Sequence, residues 1–297
     1  MKPSILNLSL IENLRHPNPH MPFSEFIDLY DSYADNGFPS HWHHEFEMQI
    51  IIKRSTQYTV NGASHLVKAG SGIYIAPESI HSSTVLELGT MGYNIIVHPK
   101  LLTDLLHSIN CDQYASPLLN REPDAFVLKP TSKESSRILQ QLNAFYNSNA
   151  GDAYELQVME GLLKIWRNLL ALFHKTVLKS PMNNSAQQLR EHRLRTMMDF
   201  IHLHYSEDLS VQTIAGSANI SKSECFRCFS DLSKTTPTDY LNRIRMMQAG
   251  QLLLTTNDSI SDICFSVGFN STSYFSKEFK KMYGVSPKEY RQEVNSL

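Results

Sequence analysis

The chain has 297 residues, a net charge of −2, and 41% apolar against 19% charged residues, which is the composition of an ordinary globular protein of about two domains, neither disordered nor fibrous. No run reaches the eighteen or so apolar residues of a membrane span, and Met1-Lys2-Pro3-Ser4 opens no basic and apolar leader, so a cytoplasmic protein without membrane contact is expected. Cys111, Cys225, Cys228 and Cys264 are too few and too irregular for a disulfide framework. Residues 1–184 carry 14 Lys+Arg against 17 Asp+Glu and residues 185–297 carry 13 against 12, so bulk charge does not point to nucleic acid. Any such affinity has to come from where individual cations stand.

Residues 38–98 read as antiparallel β-structure. Met48 to Ile52, Gln57 to Val60 and Ile73 to Ile75 are β-branched or alternating runs, separated by Asn61-Gly62 and Gly70-Ser71-Gly72, and Asn-Gly between two such runs is a strong hairpin signal. A β-barrel or sandwich is expected, within a domain spanning 1–130. Inside it, His41-Trp42-His43-His44-Glu45-Phe46-Glu47 precedes one strand and Pro77-Glu78-Ser79-Ile80-His81 follows another. Two histidines on one side of a strand, a Glu four residues on and a distant histidine form the set by which metal-dependent cupins hold a divalent ion. The pattern departs from those motifs: no glycine stands near Arg54, where the first should end, and Ser79 occupies a glycine position of the second, with a shortened spacing to His81. The preferred reading is a pocket whose His41, His43, Glu47 and His81 hydrogen-bond an organic effector, with Trp42 and Tyr74 as flat faces for a sugar and no cofactor. Two alternatives stay open, a metal ion on His41, His43, Glu47 and His81, and histidines satisfied within the barrel or at its rim.

Two helical stripes follow. Ile138, Leu139, Leu142, Phe145 and Tyr146 lie on one face between Ser132 and Asn149, and Leu156, Met159, Leu163, Trp166, Leu170, Phe173 and Val177 make a stronger stripe between Ala153 and Lys179. Residues 131–179 are therefore a helical segment with more apolar surface than one neighbour covers, suited to pairing with a second copy. The stretch 180–188, with Pro181, Asn183, Asn184 and Ser185, reads as a linker to a C-terminal domain spanning 189–297.

That domain contains a repeat. Residues 221–240 and 271–290 match at an offset of fifty, with Ser221, Ser223, Arg227, Phe229, Pro237 and Tyr240 recurring as Ser271, Ser273, Lys277, Phe279, Pro287 and Tyr290. Each copy reads as helix, turn, helix. Ser210 caps a helix carrying Val211, Ile214 and Ala215, and Ser221 with Glu224 is a capping box opening the next. Ser259 precedes Ile260, Ile263 and Cys264, and Gly268 turns the chain towards a helix starting near Ser271. Pro237 to Thr255 is a longer helix joining the two units. In the second helices, Cys225, Phe229 and Leu232, and then Phe275, Phe279 and Met282, form inward stripes. The opposite faces carry Ser223, Phe226, Arg227 and Ser230 in one copy and Thr272, Ser273, Ser276, Lys277 and Lys280 in the other. Small hydroxyls beside cations suit a helix that enters a major groove. Cys225 and Cys228 stand at a spacing that a redox or zinc pair uses, but Cys225 falls on the apolar stripe and no second ligand pair lies nearby.

The text Ser259-Ile260-Ser261-Asp262-Ile263, Val267-Gly268-Phe269-Asn270-Ser271, Tyr274-Phe275-Ser276-Lys277, Phe279-Lys280-Lys281, Tyr283-Gly284-Val285-Ser286-Pro287 and Tyr290-Arg291 closely resembles the DNA-binding domain of the AraC family of bacterial regulators. Residues 20–105 resemble the cupin-like sensing domain of the same family. The resemblance implies an α+β multidomain protein: an N-terminal cupin-like antiparallel β-barrel with a helical dimerisation segment, then an all-α domain with two helix-turn-helix units. It implies a sequence-specific transcription regulator, an activator at family level, whose two recognition helices enter successive major grooves of double-stranded DNA. By family position Ser223, Phe226, Arg227, Thr272, Ser273, Ser276 and Lys277 face bases, whereas Lys222, Lys280 and Lys281 meet phosphates. Phe226 stands where a small polar residue is commoner. Lys277 stands where Arg is commoner and lacks its bidentate fork. A small-molecule effector such as a carbohydrate, a second copy of the chain and RNA polymerase are the implied partners. The competing readings are a metal-dependent cupin enzyme fused to a DNA-binding module and a regulator whose N-terminal domain only dimerises.

Overall fold

The structure is a computed structural model that describes residues 21–32, 37–109, 111–114, 123–148, 151, 153–177 and 185–295. The chain separates into two compact units, residues 1–183 and 184–297. Of the expected linker, Lys179, Pro181, Asn183 and Asn184 lie outside the described residues, and the chain is already helical from Ser185.

The first unit is built from nine strands, β1 (Phe23–Leu29), β2 (Gly37–His41), β3 (Phe46–Lys53), β4 (Ser55–Val60), β5 (Ala63–Lys68), β6 (Gly72–Ile75), β7 (His81–Val85), β8 (Met91–Val97) and β9 (Ala125–Leu128). They form two antiparallel sheets, in the orders β1-β8-β3-β6-β9 and β2-β7-β4-β5. Ile51, Ile73 and Ile75 from the first sheet pack with Tyr58, Val60 and Val67 from the second, so the sheets lie face to face in a flattened version of the expected barrel. The Asn61-Gly62 hairpin forms as read: both residues take positive φ, 44° and 82°, as a two-residue primed turn requires, and join β4 to β5.

Strand β3 lies between β8 and β6 and is buried on both faces. Phe46, Met48 and Ile50 belong to a core shared with the helices that follow the sheets, whereas Glu47, Gln49 and Ile51 alternate towards the space between the sheets. Those helices are α1 (Lys100–Ser108), α2 (Lys133–Tyr146) and α3 (Tyr154–Val177). Ser132 caps α2 by accepting from the Ser135 amide, and Ile138, Leu139, Leu142 and Phe145 are buried as the periodicity predicts. Gly161 lets α2 and α3 approach, because a Cβ there would stand 2.6 Å from Phe145 Cε1. The α3 stripe differs from expectation. Its core face is Val158, Leu162, Ile165, Trp166, Leu169 and Phe173, while Leu156 and Leu163 remain 71% and 40% exposed. The apolar positions on α3 occupy two adjacent rows, and reading them as one stripe merged a core row with an outward one. Val177 lies outside the residues whose side chains are described.

The second unit is all helical: α4 (Ser185–His204), α5 (Val211–Ser217), α6 (Lys222–Cys228), α7 (Pro237–Thr255), α8 (Ile260–Ser266), α9 (Thr272–Tyr283) and α10 (Pro287–Asn295). The hydroxyls of Ser210, Ser221, Thr236, Ser259 and Ser271 each accept from a backbone amide three residues on, so five of these helices start where the capping signals place them. The second helix of the first helix-turn-helix motif departs from plain α geometry, since Phe229–Ser233 continues α6 as a π-helical turn. Lys234 and Gly284, fifty residues apart, close the two second helices in left-handed conformations. Helix α7 serves both halves. Tyr240 packs against Phe229 at 5.6 Å between ring centroids, while Met246, Ala249 and Leu253 enter a core with Ile263, Cys264, Phe275 and Phe279. Arg245 ties the same helix to the end of α4 by donating to the carbonyls of Tyr205 and Glu207, each at 2.7 Å. The connector between the two helix-turn-helix units is thus held by packing on both sides.

Candidate effector pocket and nucleic-acid interface

Between the two sheets of the first unit is a pocket with an empty volume of about 550 Å³, its mouth included. His41 ends β2 and is the direct cross-strand partner of His81, which opens β7. Glu47 comes from β3, and His43 from the connection between β2 and β3, not from a strand shared with His41. All four side chains are buried, and one ligand atom from each lies within 4.8 Å of every other. The walls also include Phe26, Asp28, Tyr30, Phe38, Tyr58, Asn94 and Ile96.

Hydrogen bonds fix the orientation of each ring. Nδ1 of His41 lies 2.9 Å from the Pro39 carbonyl, Nδ1 of His43 lies 3.1 Å from that of Glu45, and Nδ1 of His81 lies 2.8 Å from that of Ser79. A carbonyl only accepts, so each Nδ1 carries a proton, and the ring's other nitrogen, Nε2, is the one left to face the pocket. Glu47 sits among them. Its Oε2 is 3.1 Å from His81 Nε2 and 3.4 Å from His43 Nε2, and its Oε1 accepts from Asn94 Nδ2 at 3.0 Å. Burial acts to raise the Glu47 carboxyl, but its contacts with His43 and His81 outweigh that and hold it well below the usual carboxylate range. Burial, and then the neighbouring His81 and His43, push His41 well below the ordinary imidazole value. Among the other lining groups, Tyr30 and Tyr58 donate their hydroxyls to Gln49, which donates to Asp28.

Two of the expected effector contacts are elsewhere. Tyr74 pairs with Met48 across β6 and β3, so it shares Met48's face and packs against Phe126 and Phe173 in the helix-side core. Trp42 is half-buried outside the pocket lining, with its ring edge to face with His44. Sequence reading missed Asp28, Tyr30, Tyr58 and Asn94. The signal was present in β3, where Gln49 lies two residues beyond Glu47 and therefore faces the same way. The missing motif glycines do not prevent convergence. Arg54 takes φ 65° and Glu78, beside Ser79, takes φ 59°, so side-chain-bearing residues adopt left-handed turns at or next to those positions.

In the second unit, Cys225, Phe229 and Leu232 are buried along the first reading helix, and Lys222, Ser223, Phe226, Arg227 and Ser230 are exposed. Arg227 is held by Glu224, whose Oε2 lies 3.2 Å from Nη1. On α9, Phe275 and Phe279 are buried and Met282 half-buried, while Ser273, Lys277, Lys280 and Lys281 are exposed and Thr272 and Ser276 half-exposed. Two exposed aromatics were not anticipated, Tyr274 on α9 and Phe265 on α8. Cys225 and Cys228 are buried free thiols, and burial pushes Cys225 up to about 11, against the thiolate that redox or zinc chemistry needs.

Comparison with known proteins assigns both units. The profile of the AraC-like ligand binding domain matches residues 26–165, and that of a helix-turn-helix domain matches residues 214–293. The chain is 24% identical to an uncharacterized HTH-type transcriptional regulator, YdeC, of Bacillus subtilis, covering 98% of this chain and 99% of that one. It is 25% identical to the HTH-type transcriptional activator RhaS of an Enterobacter species, covering 93% and 94%. Among solved structures, unsaturated fatty acid-bound ToxT of Vibrio cholerae aligns over 96% of this chain and 99% of its own, at 18% identity and a TM-score of 0.49.

Proposed function

Because the chain belongs to the AraC family of transcriptional regulators, with a ligand-binding unit followed by a helix-turn-helix DNA-binding unit, we propose that it activates transcription when a small molecule enters the pocket between its β-sheets. The effector contacts are His41, His43, Glu47 and His81, and a polar compound such as a sugar or small organic acid matches their hydrogen-bonding capacity. DNA is read by Ser223, Phe226 and Arg227 on one helix and Thr272, Ser273, Ser276 and Lys277 on the other, with Lys222, Lys280 and Lys281 on phosphates. Residues 1–130 sense, 131–179 pair two copies, 180–188 link, and 189–297 bind DNA.

One pairing of observations carries this reading: a buried ring of three histidines and a glutamate at a pocket, and two capped helices with buried apolar sides and exposed cationic sides. The apolar row left outward on α3, Leu156 and Leu163, supports association of two copies, and each copy would then occupy about two turns of DNA. The relatives' names as regulators favour binding over catalysis in the pocket, a cytoplasmic location and contact with RNA polymerase. No helix of the described residues is long and apolar enough to cross a membrane. The test is to select DNA sites from a random pool with the full chain, then footprint them with and without a panel of sugars and small acids. A compound that changes protection in the wild type and not in a His41→Ala, His81→Ala variant bears the reading out; an equal response in both discards it.

A further inference from the structure

The pocket's polar ring has a chemistry that hydrogen bonding to an organic molecule does not use up. Three imidazoles turn Nε2 inward because their Nδ1 protons are committed to the carbonyls of Pro39, Glu45 and Ser79. Glu47 Oε2 takes one of these nitrogens as a hydrogen-bond partner, His81 Nε2 at 3.1 Å. His43 Nε2 is buried and has no hydrogen-bond partner, although Glu47 Oε2 is 3.4 Å away. A buried carboxylate and three converging imidazole nitrogens, that of His43 without a hydrogen-bond partner, are an arrangement that a cation completes.

We propose that His41, His43, His81 and Glu47 bind one divalent first-row transition-metal ion, which forms part of what the pocket senses. The proposal rests on the reading of this pocket as the effector site, and the experiment below separates the two. Imidazole nitrogen with a single carboxylate favours ions of the zinc, nickel, cobalt and iron(II) type over calcium and magnesium, which prefer all-oxygen sets. Metal bonds of about 2.0–2.2 Å hold donor atoms roughly 3.3–4.3 Å apart, so the widest separation here, 4.8 Å, closes by about half an ångström on binding. Small side-chain rotations supply that. The outer contacts are in place: each histidine is anchored through Nδ1 to a main-chain carbonyl, and Asn94 holds Glu47 through Oε1. Four protein donors leave coordination positions on an ion that accepts five or six. The pocket beyond, walled by Phe26, Phe38 and Ile96, is where a carboxylate or hydroxyl of an organic effector would reach them.

The experiment uses untagged full-length protein, stripped with a chelator and titrated with zinc, nickel and cobalt chlorides, with metal content measured after gel filtration. One equivalent per chain is expected, with a cobalt absorption spectrum of nitrogen and oxygen ligation and a rise in Tm. His43→Gln and Glu47→Gln are each expected to weaken binding at least 10- to 100-fold, while His44→Ala, an exposed neighbour, leaves it unchanged. Absence of stoichiometric binding by the wild type overturns the proposal, as does undiminished binding by folded His43→Gln. Should His43→Gln fail to fold, the cobalt spectrum of the wild type decides, since one without nitrogen ligation overturns it. Protection of the selected DNA sites is measured in parallel. A chain that binds no metal but still answers an organic compound sinks the metal and leaves the effector reading; one that binds metal and answers nothing sinks the effector reading and the metal's sensing role together.

Discussion

The two units treat polar side chains in opposite ways. The N-terminal unit turns them inward: Asp28, Gln49, Glu47 and three histidines are buried, while the five-stranded sheet packs its other face against apolar helices. The second helices of the C-terminal unit's two helix-turn-helix motifs turn them outward: they bury Phe229, Phe275 and Phe279 and expose Arg227, Lys277 and Lys280. An inward polar group is held by its hydrogen bonds, so changing it disturbs fold and function together. An outward one contributes little to stability and is free to specialise for a partner.

Substitutions sharpen that contrast. Gln49→Ala removes three hydrogen bonds among buried groups, with Tyr30, Tyr58 and Asp28, and is expected to cost about 3 kcal/mol of stability, measured by denaturant unfolding. Arg227→Ala is the opposite case. It should weaken specific DNA binding by about 1–3 kcal/mol while changing stability by no more than about 0.5 kcal/mol. A clear loss of stability there would show that its contact with Glu224 supports the fold and would blur the contrast.

A buried titratable group in the C-terminal unit makes the exception useful. His202 accepts from or donates to the Tyr240 hydroxyl at 2.8 Å, and burial pushes its pKa down to about 3. The unfolded chain therefore binds a proton that the folded unit refuses between about pH 6.5 and 3, and stability falls as pH is lowered through that window, by up to about 1.4 kcal/mol per pH unit. His202→Gln should flatten this slope; an unchanged slope assigns the acid sensitivity to other groups. Smaller in free energy is Lys280→Ala, expected to weaken binding to all DNA sequences alike and to reduce the salt slope by about one. Leu156→Asp with Leu163→Asp should leave the chain folded and shift it from dimer to monomer in sedimentation, since both side chains are already exposed. A folded variant that stays dimeric would remove α3 as the interface.

How much was legible in the sequence differs between the units for the same physical reason. Caps and turns are local, so Ser210, Ser221, Ser259, Ser271 and Gly268 marked the helices of the C-terminal unit within a residue or so. Even there the constant offset of fifty holds only from Ser221 onward. The first-helix caps Ser210 and Ser259 stand forty-nine residues apart, the second-helix caps fifty, because the turn of the second helix-turn-helix motif is one residue longer. Helix α4 was missed because its inward face includes Glu191 and Arg195 beside Leu194 and Met198, which obscures an apolar stripe. In the N-terminal unit the metal-type ligand set was visible from residue types, but the pocket is assembled by strand register, which spacing does not disclose. Tyr74 looked like a ligand face until its pairing with Met48 put it on the other side of the sheet.

The central claim is that occupancy of the inward site controls the outward faces. The most direct measurement is the affinity of the full chain for a selected DNA site, with and without the small molecule or metal ion that most changes wild-type binding, repeated on His81→Gln and Arg227→Ala. The account predicts that His81→Gln keeps DNA binding and loses the response, whereas Arg227→Ala binds DNA more weakly and keeps the response. A His81→Gln protein that responds as the wild type does, while Arg227→Ala binds DNA unchanged, would contradict it.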